Sequence, residues 1–312
     1  MQLPEAAWTT LLASWSPSTA KTYEGVVKRW LTYTVAHGIH PIVPTIMEAV
    51  NFLTEYFNTG VGHSSMNTTR SCLSSFIVID GTPLGEIPVI ARFIKGTRRV
   101  RPPGGKVTHV WNPVTMLHHL QEWGPIAELT LQQLTRRTML LFLLATGQRL
   151  QALHLMKRTD FQWEADSLKI KYTDRLKTND PIDSPLVLLF KYHEEETLCV
   201  FSHIKAYLAN KDTAPAAPYV FSTVRLPTSR AASATISRQV KATLASAGIH
   251  DFTAYTARHA ATSAASRANV PLNTILQSAS WVRESTFSRF YNRPLLENPP
   301  MEETNFIPRL LE

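Results

Sequence analysis

Cysteine is almost missing from this 312-residue sequence: Cys72 and Cys199 are its two examples, and they are far apart. Two isolated thiols cannot frame a disulfide scaffold or a zinc ribbon, and they suit a reduced, intracellular setting. Long apolar runs are missing too. The longest, Met139 to Ala145, falls well short of the ~20 residues of a membrane-spanning helix, so no membrane partner is expected. The opening Met-Gln-Leu-Pro-Glu has neither the basic start nor the apolar stretch of a secretory signal. Acidic residues are in deficit, 24 against 32 Lys plus Arg, which leaves a net charge of +8. That balance favours a polyanion such as nucleic acid over an acidic protein as partner. There is no internal repeat and no low-complexity tract. With 44% hydrophobic residues the chain is globular, and it is long enough for one large or two ordinary domains.

The first hundred residues read as four short amphipathic helices. Ser16-Pro17-Ser18-Thr19 caps the first, Tyr23, Val26, Val27, Trp30 and Leu31 recur at helical spacing, and Gly38 ends it. Its other face carries Lys21, Lys28 and Arg29, a set that serves either solvation or phosphate contact. Thr45 with Glu48 makes a capping box for the second, whose expected buried stripe is Ile46, Val50, Leu53 and Phe57. The third is expected from His63 to Ile79 with Asp80-Gly81 as its stop, the fourth from Pro88 to Lys95. Together they predict a small bundle around one core.

From Gly96 the composition changes. Gly96, Pro102, Pro103, Gly104 and Gly105 argue against a helix or a central strand, so 97–111 reads as a linker. Its Arg98, Arg99, Arg101 and Lys106 would neutralise phosphates if the chain wrapped a duplex there, or would keep a hinge solvated.

The second domain opens with a short helix after Asn112-Pro113, then a helix from Leu131 to Ala145 too apolar for a surface. It delivers Thr146-Gly147-Gln148-Arg149, where Gly147 permits a tight turn that brings Arg149 to a mouth. Alternation from Ser167 to Tyr172 predicts a strand, and Leu186 to Phe190 a second one across the polar turn 174–180. Helices are expected near Thr197 to Leu208 and Ser233 to Ala247, with a short strand at Tyr219-Val220-Phe221 and a surface loop from Asp212 to Pro218. His118, His119 and His193 lack metal-ligand spacing.

Chemistry concentrates between Tyr255 and Tyr291. The segment runs Tyr255-Thr-Ala-Arg258-His259, reaches Ser280-Trp281 and closes at Ser288-Arg289-Phe290-Tyr291. No Asp or Glu lies between His259 and Arg283, so the carboxylate cluster of a metal-dependent nuclease is missing there. This block resembles the C-terminal catalytic block of the tyrosine recombinases, the phage integrase family, in which His-x-x-Arg, a later His or Trp and a nucleophilic Tyr follow in that order. Thr146-Gly147-Gln148-Arg149 resembles the family's first catalytic arginine in its setting.

The resemblance implies a mainly α fold with a small antiparallel β-sheet: an N-terminal helical bundle (1–96, a SAM-like core-DNA-binding domain), the linker 97–111 and an integrase-like catalytic domain over 112–312. It implies site-specific cleavage and rejoining of double-stranded DNA through a 3′-phosphotyrosine, without metal, ATP or other cofactor, by a homo-tetramer. Wording such as Ala279-Ser280-Trp281 is closer to recombinases of eukaryotic mobile elements, which makes a nuclear setting the expectation. By the same resemblance Arg149 and Arg258 hold the scissile phosphate with forked guanidinium groups, Tyr291 attacks, Trp281 and Tyr255 donate to phosphate oxygens, and His259 supports them. Lys177, in the turn between the two strands, is the general acid, with Lys169, Lys171 and Arg175 as competitors. The tail from Asn292 to Glu312, anchored by Phe306, Ile307, Leu310 and Leu311, is either exchanged between subunits or packed on its own.

Three positions depart from the family pattern. Tyr255 stands where histidine is usual, Ala152 stands where an acid orients the first arginine, and Tyr291 falls one residue beyond the usual distance from Trp281, where Phe290 stands. His259, directly after Arg258, is expected to point elsewhere than Tyr255 and Arg258. The departures keep a second class open, a DNA-binding relative that has lost cleavage. A third is a helical protein-interaction module whose charge is incidental.

Overall fold

The computed structural model describes residue 10 and residues 13–102, 109–179, 181–210, 218–222 and 229–296. The chain divides into two compact units, Met1–Lys106 and Val107–Glu312. It is mainly helical with small sheets, as the sequence implies.

In the first unit, α1 (Pro17–His37), α2 (Ile46–Asn58), α3 (His63–Ser74) and α4 (Pro88–Val100) enclose one core that includes Val26, Trp30, Phe52, Leu53, Met66, Leu73, Ile90 and Ile94. The caps are those of the sequence: Ser16 accepts from the Thr19 N–H, Gly38 closes α1 at φ 64, and Thr45 and Glu48 exchange the two bonds of a capping box. The stripe of α2 is rotated from the expected one. Ala49, Phe52 and Leu53 are buried, whereas Ile46 is 36% exposed and Val50 and Phe57 only partly covered.

Helix α3 stops at Ser74, five residues short of the expected Ile79. Asp80-Gly81 is instead the turn of a two-residue hairpin between β1 (Val78–Ile79) and β2 (Thr82–Pro83), with Asp80 at φ 50 and Gly81 at φ 75. Both signs suit the tight turn that joins right-twisted strands. Helix α4 runs five residues past Lys95, through Gly96, so Arg98 and Arg99 are helical. Gly96 costs about 1 kcal/mol there, which packing of Ile90, Ile94 and Thr97 offsets. What ends α4 is Pro102: it forces Arg101 out of the helical region, to φ −132 and ψ 82.

In the second unit, β3 (Val110–Trp111) leads into α5 (Pro113–Gln121), capped by Asn112. Helix α6 (Leu131–Thr146) begins with a Thr130/Gln133 capping box and runs through the core, burying Leu134 and every residue from Arg137 to Leu143. Then come α7 (Leu150–Leu155), β4 (Phe161–Trp163), β5 (Ser167–Lys171), β6 (Val187–Lys191), α8 (Val200–Ala209), α9 (Ser233–Ser246), α10 (Thr256–Arg267), α11 (Leu272–Ser278), α12 (Glu284–Phe290) and β7 (Leu295–Leu296). Helix α6 packs against α8 and α10.

Strands β4, β5 and β6 form an antiparallel sheet in which Leu168 opposes Phe190 and Ile170 opposes Leu188, all four buried. Each such side chain contributes roughly 2 kcal/mol by leaving water. Strand β4, at three residues, is too short for alternation to reveal it. Tyr219-Val220-Phe221 makes isolated bridges, Lys157 with Tyr219 and Ser222 with Arg230, not the expected strand. Strand β7 pairs in parallel with β3, and the Val110 N–H donates to the Pro294 carbonyl at 2.9 Å. The chain just beyond Tyr291 is thereby tied to its own unit. Of the expected loop from Asp212 to Pro218 only Pro218, and of the expected tail from Asn292 to Glu312 only 292–296, lie within the described residues. No helix among the described residues is long and apolar enough to cross a membrane.

Candidate active site

Helix α6 ends where Gly147 takes φ 61. A Cβ there would come within 2.6 Å of Thr262 Cγ2, so glycine is required for space as well as for φ. The next residue, Gln148, is buried, and its Nε2 donates to the Ser278 carbonyl at 2.6 Å and to Ser280 Oγ at 2.7 Å. These bonds pin the turn to the end of α11, and Arg149 emerges half-buried as the N-cap of α7. With Ala152 buried in place of an acid, Arg149 Nη1 donates to Thr178 Oγ1 at 3.1 Å. Thr178 sits in the turn between β5 and β6, closed by the Leu176–Asn179 bridge. The neighbouring Lys177 is exposed, and its N–H donates to Gln151 Oε1 at 3.0 Å. One hydroxyl thus ties Arg149 to the lysine-bearing turn.

Helix α10 starts at Tyr255 and carries Arg258 and His259 on its first turn. Arg258 is 1% exposed; Nη1 donates to the Gly147 carbonyl at 2.8 Å and Nη2 to the Ala279 carbonyl at 2.7 Å. The one guanidinium therefore joins the turn that holds Arg149 to the turn that holds Trp281. His259 does not point away. Four residues apart on a helix is one face, and the Tyr255 and His259 rings lie 5.3 Å apart.

Trp281 follows Ser280, which caps α11 in the left-handed region at φ 57. Tyr291 follows the last residue of α12, and its peptide carbonyl accepts from Ser263 Oγ at 2.7 Å. Its ring stacks on His259 at 4.5 Å and meets Trp281 at 4.4 Å, while the Arg258 guanidinium carbon lies 5.2 Å from its centroid. Its hydroxyl lies 2.5 Å from that of Tyr255. The register question has a geometric answer: Phe290 is 42% exposed, whereas Tyr291, at 7%, is the residue turned into the cluster.

The electrostatics are those of a cationic pocket. Burial first, then repulsion from Arg149, brings the Arg258 guanidinium down to about 10. Burial, with Arg293 and Arg258 adding, holds His259 down to about 4, so its imidazole is neutral at pH 7. Tyr255 is pushed up to about 12, by burial and then by the Tyr291 hydroxyl. Three buried nitrogens here, Arg258 Nε, His259 Nδ1 and Trp281 Nε1, have no hydrogen-bond partner. Arg258 Nε and Trp281 Nε1 carry hydrogen, whereas neutral His259 donates to the Phe290 backbone and turns a lone pair inward. A buried N–H without a partner costs about 1–3 kcal/mol, and an oxyanion entering the pocket would relieve that cost at the arginine and the tryptophan. Among the described residues no group of His, Cys, Asp or Glu gathers in a way that could hold a metal ion.

The first unit's expected phosphate contacts divide. Lys21 is exposed, Lys28 pairs with Glu24 at 2.6 Å, and the Arg29 guanidinium carbon lies 4.8 Å from the Tyr56 centroid. Arg101, expected on DNA, is turned inward: it donates to the Phe57 carbonyl at 3.1 Å and to the Val61 carbonyl, and lies over the Phe57 ring. It anchors the end of α4. Lys106 lies outside the described residues. Arg98 and Arg99 are exposed, and with Arg92 and Lys95 they form a basic stripe along α4 that the sequence reading missed by ending the helix early. The spacing 92, 95, 99 was the available signal. Thr178, Gln148 and Ser263 were missed as well. Only Ser263, a polar residue on the inner face of an alanine-rich helix, carried a local sign.

Comparison with known proteins bears on the family and the fold. The profile described as the phage integrase family matches residues 115–297, more than half of the chain. A lambda integrase dimer bound to a COC′ core site is similar at TM-score 0.55 and 15% identity, over 96% of this chain and 96% of that one. The XerH site-specific recombinase bound to a palindromic difH substrate, a post-cleavage complex, is similar at TM-score 0.53 and 16% identity, over 79% and 68%. The Tn1549 transposon integrase in complex with transposon right end DNA is similar at TM-score 0.52 and 12% identity, over 86% and 84%. At such identities these likenesses bear on fold. No curated protein matches the sequence.

Proposed function

The chain belongs to the phage integrase family, and from that premise we propose that it cuts and rejoins double-stranded DNA at specific sites through a covalent 3′-phosphotyrosine. The observation that carries the reading is the placement of the Tyr291 hydroxyl, beside that of Tyr255 and in the cationic cluster of Arg258 and Arg149. Arg149 and Arg258 hold the scissile phosphate and stabilise charge on the five-coordinate transition state, the task that metal ions perform in other nucleases. Trp281 Nε1 spends its free N–H on a phosphate oxygen. Tyr291 Oη attacks phosphorus, the P–O5′ bond breaks, and Lys177 protonates the leaving 5′ oxygen. One phosphoester replaces another, so rejoining is the reverse step and needs no ATP. Attack occurs within one subunit, since Tyr291 lies among the groups of its own chain. The working form is a homo-tetramer on DNA.

A second reading has specific support. Tyr255 in place of histidine, Ala152 in place of an acid, and Arg258 bound to two carbonyls would also suit a DNA-binding relative without cleavage. One experiment separates the two: the protein is incubated with nicked duplexes carrying its element's ends and resolved on a denaturing gel. A protein–DNA adduct that disappears in Tyr291→Phe supports cleavage. Retention in a gel shift without any adduct supports the second reading.

A further inference from the structure

A phenol attacks phosphorus well only as its phenolate, so the Tyr291 proton must leave. The hydroxyl belongs to a residue 7% exposed, and among the described residues no carboxylate or imidazole is hydrogen-bonded to it. His259, the nearest imidazole, is stacked on the face of the Tyr291 ring at an interplanar angle of 26°, away from the hydroxyl at the ring's edge. From the other elements, Arg149 at the end of α6, Arg258 on α10 and Arg293 beyond α12 bring only positive charge to the cluster. Trp281 and Phe287 line its apolar side. Two side chains act on the Tyr291 hydroxyl: the Arg258 guanidinium, a cation that can donate but not accept a proton, and Tyr255, whose hydroxyl lies 2.5 Å away and whose own residue is 45% exposed. Of the two phenols, one is enclosed and one reaches water.

We propose that Tyr255 is the positioning residue of the nucleophile: it carries the Tyr291 proton to solvent and then donates its own hydroxyl hydrogen to the attacking oxygen. The balance is simple. The Tyr291 O–H bond breaks and its proton passes to Tyr255 Oη, while the hydrogen that Tyr255 held leaves to water. Tyr255 ends neutral, as a donor, and Tyr291 ends as a phenolate held between that donor and Arg258. Burial and the neighbouring hydroxyl keep Tyr255 itself protonated near neutral pH, which suits a donor and not a second nucleophile. The place where the family uses an imidazole is thus filled by a group that acts on the nucleophile. This rests on the reading of Tyr291 as the nucleophile.

The test uses the full chain labelled with carbon-13 at the tyrosine ζ position, titrated by NMR as wild type, Tyr255→Phe, Tyr255→His and Tyr291→Phe, the last assigning the Tyr291 signal. Adduct formation on the nicked duplex is followed in parallel between about pH 6 and about pH 9. In Tyr255→Phe the Tyr291 signal should titrate about one pH unit higher than in wild type, the scale of one hydrogen bond to a charged group. Adduct formation should slow at least about tenfold near neutrality, and less at the alkaline end. Tyr255→His should restore most of the rate, with DNA retention unchanged throughout. A Tyr291 signal indifferent to Tyr255→Phe overturns the proposal. So does a rate loss of equal size at every pH. If the signals are coupled but wild type forms no adduct, the proton link stands and the cleavage reading fails.

Discussion

At position 147 one methyl group separates a working turn from a broken one. Gly147 has a left-handed φ and no room for a Cβ beside Thr262, and its carbonyl also receives Arg258. Gly147→Ala should cost about 2 kcal/mol, the sum of strained φ and overpacking, and should lower the thermal midpoint by several degrees. Adduct formation should fall further than stability does, because Arg149 and Arg258 both move. At Lys177 the effect is purely chemical: the side chain is exposed and the turn is held by Leu176, Thr178 and Asn179. Lys177→Ala should keep its fold and its DNA retention while cleavage slows on the order of a hundredfold. A sulfur leaving group at the 5′ position, which needs no proton, should restore the rate. Failure of that rescue would return the acid's role to Lys169, Lys171 or Arg175.

At the scale of an element, α4 carries the clearest electrostatic consequence. Arg92, Lys95 and Arg99 are exposed on one face of a helix with no acidic residue. Over seven residues that face rises about 10 Å, enough to meet successive phosphates of one strand. Replacing each by alanine should weaken DNA retention whatever the sequence of the duplex, and should lower the slope of log affinity against log salt by about one. Lys28→Ala, at a lysine already paired with Glu24, should change the slope much less. Equal slopes for the wild type and the triple α4 variant would remove this helix from the interface.

The whole second unit is poised against acid. Arg137 is fully buried and forms no ion pair among the described residues, although Glu195 and Glu196 act on it from further off: its Nε donates to His203 Nε2 at 2.7 Å, and Nη1 donates to the carbonyls of Leu120 and Gly124. His203 Nδ1 in turn donates to the Cys199 carbonyl at 2.8 Å, so the neutral imidazole satisfies both neighbours. Burial, with repulsion from Arg137, lowers His203 from 6.5 to about 4. A lowered folded value means that stability is complete above pH 6.5 and is lost as pH falls toward 4, because the unfolded chain binds the proton first. The loss amounts to about 3 kcal/mol for this residue, and His259 adds to it in the same direction. Urea midpoints should fall from pH 7 to pH 4.5, and His203→Gln should fall less over that interval. An equal fall in both would sink the account.

Sequence alone determined whatever is written in local periodicity and capping. The Ser16 and Thr45 caps, the buried run of α6, the strand alternation of β5 and the Thr146-Gly147-Gln148-Arg149 turn are short-range facts, each settled within a few residues. It also ordered the candidate site, since Arg149, Arg258, Trp281 and Tyr291 follow one another along the chain in the order that the family resemblance implies. The tertiary structure decided what depends on residues distant in sequence. It turned Tyr291 and not Phe290 inward, joined the hydroxyls of Tyr255 and Tyr291, gave Arg149 a threonine where an acid was missing, and bound half-buried Arg101 to the Phe57 and Val61 carbonyls. Periodicity records which face of a helix is apolar, but not which partner from another segment arrives there. Packing alone supplies that partner, and in this protein the partners set the chemistry.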